Sequence, residues 1–228
     1  GGCSLRRGST EPREAFMETL RSCEVYSPEE NKWRPCAPLQ VARSGSRVVA
    51  LRDRHLVAVG GCDDVFGRAE TQPTVELYDP LVNHWVVLEA RLAHPRTTAG
   101  VAAIDDWRLA VIGGAPCMSS AEIYHVTLPA AAGTGATASA GSREEPDAAS
   151  NKLVIADMAE GRMGCQAAAI RLPARGARYP LSGCPCVVIV GGERCSEASG
   201  DWPRVRQFNT VPVYDVLAGA WRPEDSTG

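Results

Sequence analysis

Short apolar runs recur along the chain, and glycine, proline or charged residues separate each run from the next. Three of these runs, at 56–59, 109–112 and 187–190, end directly at a pair of glycines. Other runs alternate apolar and polar residues, as at 75–78. Runs of this length with a period of two, bounded by turn-forming residues, predict β-strands.

A tyrosine closes a short strand-like run after each glycine pair. These tyrosines are Tyr26, Tyr78, Tyr124 and Tyr214. Three of them are followed seven residues later by a tryptophan: Trp33, Trp85 and Trp221. Seven of the ten Trp and Tyr residues therefore stand at repeated positions. Aromatic residues scattered through a core would not keep this register, so the chain consists of repeats.

The repeated order of motifs resembles the kelch repeat. That order is an apolar run, Gly-Gly, Glu-x-Tyr and Asn-x-Trp, and the kelch period is about 50 residues. The step from Gly60 to Gly113 is 53 residues. The resemblance implies an all-β fold, a kelch-type β-propeller with about three and a half four-stranded antiparallel blades. It implies structural roles for the matching residues, which are Gly60, Gly61, Tyr78, Trp85, Gly113, Gly114, Tyr124, Gly191, Gly192, Tyr214 and Trp221.

The repeats divide the chain into a half blade at 1–42 and blades at 43–95, 96–161 and 162–228. Because the first unit has only two predicted strands, we expect the chain to be part of a longer kelch protein. In the unit at 43–95 the four strands are predicted at 47–51, 55–59, 74–78 and 84–88.

Two insertions account for the longer steps between the repeats. Residues 129–150 contain no apolar side chain larger than alanine, so we expect a disordered excursion there. After it, Asn151-Lys152-Leu153 resembles Asn31-Lys32-Trp33, which predicts that Leu153 takes the tryptophan position. The other insertion, 173–186, should lengthen the turn between the first two strands of the last blade.

Antiparallel topology sorts the loops by face. The loops that follow the glycine pairs all project from one face, where partners of kelch proteins usually dock. We therefore predict partner contacts from the loops at 62–73 and 193–210. The candidate residues are Asp63, Asp64, Phe66, Arg68, Arg194, Trp202 and Arg204. Arg206 and Phe208 belong to the same loop, and exposed Trp and Arg together are typical of binding hot spots.

Arg43, Arg96 and Arg162 open the three full units. They could form an anion-binding ring, but we expect each to be hydrogen-bonded within the scaffold. Some kelch ubiquitin-ligase adaptors bind acidic degrons through arginines two residues further along. Those positions hold Gly45, Thr98 and Gly164 in this chain, so that specificity does not carry over.

Composition and charge exclude several functions. The net charge of −3 argues against nucleic-acid binding, and no apolar run is long enough to span a membrane. The nine cysteines show no repeated Cys-x-x-Cys, and the four histidines form no ligand pair, so no metal or other cofactor is expected. We interpret the cysteines as free thiols, which favours a cytoplasmic location.

The sequence thus predicts a non-enzymatic module that binds a partner protein through its inter-strand loops. A plausible role is substrate adaptor of a cullin-type ubiquitin ligase, which would need an upstream dimerisation domain. Two alternatives stay open. One is a propeller enzyme, an oxidase or an isomerase acting on a small molecule, and the other is a cytoskeletal scaffold. Fold alone does not decide between them.

Overall fold

The computed structural model describes residues 2–5, 17–52, 54–63, 71–128, 152–173, 183–196 and 204–223. The regular structure within these residues consists of 18 β-strands. No helix in this part of the chain is long and apolar enough to cross a membrane. Four predicted partner residues (Asp64, Phe66, Arg68 and Trp202) and the insertion at 129–150 lie outside the described residues.

The first nine strands follow one another in short segments of four or five residues. They are β1 (Gly2–Leu5), β2 (Met17–Leu20), β3 (Cys23–Ser27), β4 (Lys32–Cys36), β5 (Arg47–Leu51), β6 (His55–Val59), β7 (Val75–Asp79), β8 (His84–Val87) and β9 (Gly100–Ala103). The remaining nine are β10 (Arg108–Ile112), β11 (Ala121–His125), β12 (Lys152–Ile155), β13 (Gln166–Leu172), β14 (Cys184–Val190), β15 (Glu193–Ser196), β16 (Arg204–Gln207), β17 (Val213–Asp215) and β18 (Ala220–Trp221).

Three antiparallel sheets of four strands form complete blades. Blade 1 has the order β5-β6-β7-β8, blade 2 has β9-β10-β11-β12 and blade 3 has β13-β14-β17-β18. The pair β3-β4 is the half blade that precedes blade 1. This architecture confirms the predicted kelch-type propeller fold with three and a half blades. In blade 1 the first two strands have the predicted bounds, whereas the third is shifted by one residue and the fourth is one residue shorter.

Apolar side chains fill the spaces between successive blades. Val57 and Leu77 of blade 1 pack in one buried cluster with Tyr124 of blade 2. Ile112 of blade 2 packs in a second cluster with Ile189 of blade 3. The middle strands β6, β7, β10 and β11 are largely buried, because a neighbouring blade covers each of their faces. Because both faces are buried, some of these strands are continuous apolar runs instead of alternating apolar and polar residues.

The innermost strands of the three blades converge on the propeller axis. Arg47 opens β5, and its Nε donates a hydrogen bond to the carbonyl oxygen of Ala99 in front of β9, at 2.9 Å. Its Nη2 donates another, at 3.1 Å, to the carbonyl oxygen of Cys165 in front of β13. A single side chain of blade 1 therefore connects the inner edges of all three blades.

The two faces of the propeller carry different kinds of connection. We call upper face the one that carries the turns between the second and third strands of each blade and the connections between blades. The lower face carries the other turns, including those at 28–31, 80–83, 104–107 and 216–219. Two segments of the upper face that the sequence indicated only as loops contain hairpins, β1-β2 and β15-β16.

Candidate partner-binding face

A buried arginine holds the entrance of each blade. Arg43 is fully buried and donates from Nε to Glu76 Oε1 at 2.9 Å and from Nη1 to the Gly60 carbonyl oxygen at 2.7 Å. Its Nη2 donates to Thr74 Oγ1 at 2.7 Å. Burial lowers the pKa of the Arg43 guanidinium, and the Glu76 carboxylate opposes that shift. The side chain is engaged within the scaffold, as the sequence predicted.

Blade 2 repeats this arrangement. Arg96 Nη2 donates to Glu122 Oε1 at 3.0 Å, and both side chains are fully buried. The second carboxylate oxygen of Glu122 accepts a hydrogen bond from the Ala93 backbone N–H at 2.7 Å. Each glutamate therefore joins a blade to the connection that leads into it. The Glu-x-Tyr motif marked these residues, but the sequence did not show that the glutamate is the arginine's partner.

The glycine pairs receive the backbone of the next blade. The N–H of Gly61 donates to the Arg96 carbonyl oxygen at 2.9 Å, and the N–H of Gly114 donates to the Arg162 carbonyl oxygen at 2.9 Å. Gly114 has φ +88°, and a Cβ there would lie 2.5 Å from the Thr97 carbonyl oxygen. Thr97 belongs to the same blade as Gly114, so the second glycine of the pair is required by the close approach of backbone within its own blade.

The repeated tyrosine and tryptophan residues pair across neighbouring strands of the same blade. Tyr78 and Trp85 have ring centroids 5.0 Å apart, and Trp85 is only 4% exposed because the half blade covers it. The equivalent Trp33 of the half blade is 66% exposed. Tyr124 has no tryptophan opposite it, and its hydroxyl donates to the Ala90 carbonyl oxygen at 2.8 Å. Trp85 and Tyr124 therefore contribute to the packing between blades.

The prediction that Leu153 takes the tryptophan position in blade 2 is wrong. The register of β11 and β12 places Lys152 opposite Tyr124 and Leu153 opposite Ile123. In the other units the residue opposite the tyrosine is the tryptophan itself. The strand after the insertion therefore begins one residue earlier in register than the motif indicated.

Blade 3 departs from this scaffold at its arginine. Pro212 stands where blades 1 and 2 have Glu76 and Glu122. The buried Arg162 donates to the carbonyl oxygens of Gly191 and Thr210, and its guanidinium carbon lies 4.3 Å from the centroid of the Phe208 ring. A cation over an aromatic face at this distance is an attractive arrangement. Arg43 and Arg96 donate to equivalent carbonyl oxygens, so the contact that distinguishes blade 3 is the Phe208 ring.

The hairpin β15-β16 extends this arrangement to the surface. Arg206 has a side chain that is 71% exposed and forms an ion pair with Glu160, with Nη2 3.0 Å from Oε1. Its guanidinium carbon lies 5.2 Å from the centroid of the same Phe208 ring. Glu160 Oε2 also lies 3.9 Å from Arg162 Nη2. The exposed arginine is thus held by a buried ring and by a carboxylate of the connection between blades 2 and 3.

The predicted partner residues that the structure describes occupy two separate loops of the upper face. Asp63 is exposed in the loop of blade 1, and its carbonyl oxygen accepts a hydrogen bond from Thr19 Oγ1 at 2.8 Å. Arg194 is exposed on β15, and Arg204 lies on β16 at the register position opposite Ser196. In chain order the upper-face loop of blade 2 lies between Asp63 and the hairpin. Phe208 is buried, and Glu160 was not predicted.

Titratable groups elsewhere are engaged in the scaffold or dispersed. Burial lowers the pKa of His55 and of His125. Among the described residues no group of three or more His, Cys, Asp or Glu side chains is arranged to hold a metal ion. The prediction of a non-enzymatic module therefore stays a prediction, and no catalytic cluster is assigned.

Comparison with known proteins identifies the repeats. A family model described as the kelch motif matches residues 15–40. The mouse influenza virus NS1A-binding protein homolog is 37% identical over 87 residues, which cover 38% of this chain and 12% of that protein. Human kelch-like protein 34 is 30% identical over 110 residues, 48% of this chain and 16% of that protein.

A third relative is kelch-like ECH-associated protein 1B of Danio rerio, which is 35% identical over 102 residues, 45% of this chain and 17% of that protein. This chain carries the kelch motif and is similar to kelch-like proteins. The kelch segments that match account for less than a fifth of each relative's own length. The solved structure of YjhT has a TM-score of 0.64 over 97% of this kelch chain and 65% of its own, with 10% identity, and shares the fold.

Proposed function

We propose that this kelch chain is a rigid module without catalytic activity that binds a partner protein through its upper face. The observation that carries the proposal is the contrast between the scaffold and the loops. The buried Arg43 and Arg96 are engaged by glutamates and carbonyl oxygens inside the blades. The exposed Arg194 and Arg206 stand instead on a hairpin of the upper face.

The names of two relatives also support protein binding. One is named as an NS1A-binding protein homolog and the other as an ECH-associated protein. Arginine is one of the residue types that are enriched among the residues that dominate binding energy. The finer part of the proposal is that the protein that contains this chain is a substrate adaptor of a cullin-type ubiquitin ligase acting in the cytoplasm. That part is based on the resemblance to kelch adaptors.

Site-specific photo-crosslinking tests the proposal. A photoreactive phenylalanine analogue replaces Gln207 on the upper face or, as the matched control, Leu81 on the lower face, and both positions are exposed. After irradiation in cells, we expect a defined protein adduct from position 207 and none from position 81. Adducts from position 81 alone would contradict binding through the upper face. Recovery of a cullin subunit with the intact protein would test the adaptor role, and its absence would leave only the binding module.

A further inference from the structure

Two cysteines lie directly opposite each other in the half blade. The register of β3 and β4 pairs Cys23 with Cys36. Residues that face each other in an antiparallel pair have Cα atoms about 4.5–5.5 Å apart, and their side chains lie on the same face of the sheet. The Cα atoms of a disulfide are usually about 4.4–6.8 Å apart. A bond between the two sulfur atoms therefore fits the backbone as it stands.

Blades 1 and 2 hold apolar residues at the equivalent positions, three residues before the tyrosine and three after its cross-strand partner. In blade 1 these residues are Val75 and Leu88, and the Leu88 N–H donates to the Val75 carbonyl oxygen at 2.9 Å. In blade 2 they are Ala121 and Ile155, which face each other in the register. All four side chains are buried. A single thiol can replace a small apolar side chain, but the half blade has thiols at both positions.

Hydrogen bonds around the pair hold the two strand ends together. The Leu39 N–H donates to the Arg21 carbonyl oxygen at 2.9 Å and joins the segment after β4 to the segment before β3. The Cys23 thiol donates to the same carbonyl oxygen at 3.5 Å. The Ala37 N–H donates to Asn83 Oδ1 at 2.9 Å, which fixes the end of β4 to blade 1. The two thiols are therefore kept opposite each other.

The pair lies at the upper-face end of the half blade, on the side that faces blade 1. Cys23 and Tyr78 pack against the buried cluster that contains Trp85. Burial raises the pKa of the Tyr78 hydroxyl, and both thiols raise it further. Burial also raises the pKa of the Cys36 thiol, and the nearby Cys23 thiol adds to that shift. Both cysteines are partly accessible, so a small oxidant can reach them, whereas Cys165 is buried.

We propose that Cys23 and Cys36 form a reversible disulfide that joins β3 to β4 when a peroxide is present. Hydrogen peroxide oxidises one thiol to a sulfenic acid and is itself reduced to water. The second thiol attacks the sulfenic sulfur, so that the S–S bond forms and a second water leaves. Two thiols and one hydrogen peroxide thus give one disulfide and two waters, and two electrons pass to the peroxide.

The disulfide stabilises the end of the propeller that has the fewest strands. It closes a loop over residues 23–36, and closing a loop lowers the conformational entropy of the unfolded chain. The half blade consists of two strands and covers Trp85 of blade 1, so the bond also protects that contact. A dithiol reductant reverses the bond by thiol–disulfide exchange. This proposal goes beyond partner binding and does not depend on it.

Peptide mapping of the oxidised 228-residue chain tests the disulfide. The reduced chain is treated with hydrogen peroxide, and the remaining thiols are blocked with N-ethylmaleimide before unfolding. Trypsin cleaves after Arg21, Lys32 and Arg43, so the two cysteines fall in separate peptides, 22–32 and 33–43. We expect these peptides to be recovered as one linked species that dithiothreitol separates. Linkage of either peptide mainly to another cysteine, or oxidation to sulfinic acid without a disulfide, would overturn the proposal.

Two variants provide a matched comparison of stability. Cys23→Val/Cys36→Leu copies Val75 and Leu88 of blade 1 into the half blade, and circular dichroism of the reduced variant checks that it is folded. Cys184→Ser removes another partly accessible thiol, whose cross-strand partner is a leucine. Peroxide should raise the melting temperature of the unmodified chain and of Cys184→Ser by about 5–10 °C, and dithiothreitol should cancel the rise. The double variant should show no rise. An equal rise in the double variant, or none in the unmodified chain, would overturn the stabilising role of the disulfide.

Discussion

Replacing Glu122 with glutamine should destabilise the protein strongly although the side chain keeps its shape. Glu122 and Arg96 are both fully buried, with Oε1 and Nη2 3.0 Å apart. Glutamine removes the charge that balances the guanidinium. It also replaces one carboxylate oxygen with a donor, while both oxygens of Glu122 accept hydrogen bonds, from Arg96 and from the Ala93 N–H.

The size of the effect follows from the burial. Breaking a buried ion pair by removing one partner costs about 3–5 kcal/mol, because the other charge is left uncompensated. The exposed pair of Arg34 and Glu30 provides the comparison, since losing such a surface pair costs less than about 1 kcal/mol. We therefore expect Glu122→Gln to lower the free energy of unfolding by about 3–5 kcal/mol and Glu30→Gln by less than about 1 kcal/mol.

Urea unfolding followed by circular dichroism and by tryptophan fluorescence measures both variants. The double variant Arg96→Met/Glu122→Leu should lose less free energy of unfolding than the sum of the losses of its two single variants, because both charges are removed together. The double variant should still be less stable than the unmodified chain, since the carbonyl oxygens of Gly113 and Ser120 lose the donor that Arg96 supplies. Equal small losses of unfolding free energy from Glu122→Gln and Glu30→Gln would contradict the larger contribution of the buried ion pair.

Three further predictions concern the repeat and its pH dependence. Gly114→Ala should lower the melting temperature far more than Gly164→Ala, because both glycines have positive φ but only at Gly114 would a Cβ meet backbone atoms; similar shifts would contradict the close approach. Gly219→Asn should raise the melting temperature slightly, because Asn31 and Asn83 have the same positive φ in other units and accept a hydrogen bond from the tyrosine five residues earlier; a decrease would contradict this. Burial lowers the pKa of His55 below its unfolded value of about 6.5, so the unfolded state binds the proton first and stability should fall as the pH drops from about 7.5 to 5.5. His55→Gln should weaken that dependence in thermal unfolding, and an unchanged slope would contradict it.

The sequence predicted the fold from local signals. The strands of blade 1 were predicted within one residue, because their ends are fixed by the glycine pair and by Asp79-Pro80. The structural roles of Tyr78 and Trp85 were also predicted, since the spacing of these residues recurs along the chain. Repetition makes such positions visible without an alignment.

The hairpins and the register after the insertion could not be predicted in the same way. The strands β15 and β16 are rich in charged residues, and no apolar alternation distinguishes them from a loop. The motif in blade 2 matched Leu153 to the tryptophan by spacing, whereas the pairing of β11 with β12 places Lys152 there. Such a pairing depends on contacts across the sheet, which the order of residues does not contain.

The candidate site was predicted only in part for a similar reason. Arg194 and Arg204 were identified from their loop, but Glu160 precedes them by more than 30 residues and lacks a motif of its own. Its role depends on the replacement of the buried glutamate by Pro212, which leaves Arg162 beside Phe208 and Glu160. Only the three-dimensional arrangement brings these residues to Arg206.

Hydrogen–deuterium exchange of the chain alone is compared with exchange of the chain bound to the partner that photo-crosslinking identifies. This comparison tests whether binding occurs through the upper face. We expect slower exchange in the upper-face segments at 115–120, 193–196 and 204–207, with unchanged exchange in the blade strands and in the lower-face turns at 80–83 and 216–219. Slower exchange confined to the lower-face turns, or to the exposed sheet of the half blade, would contradict binding through the upper face.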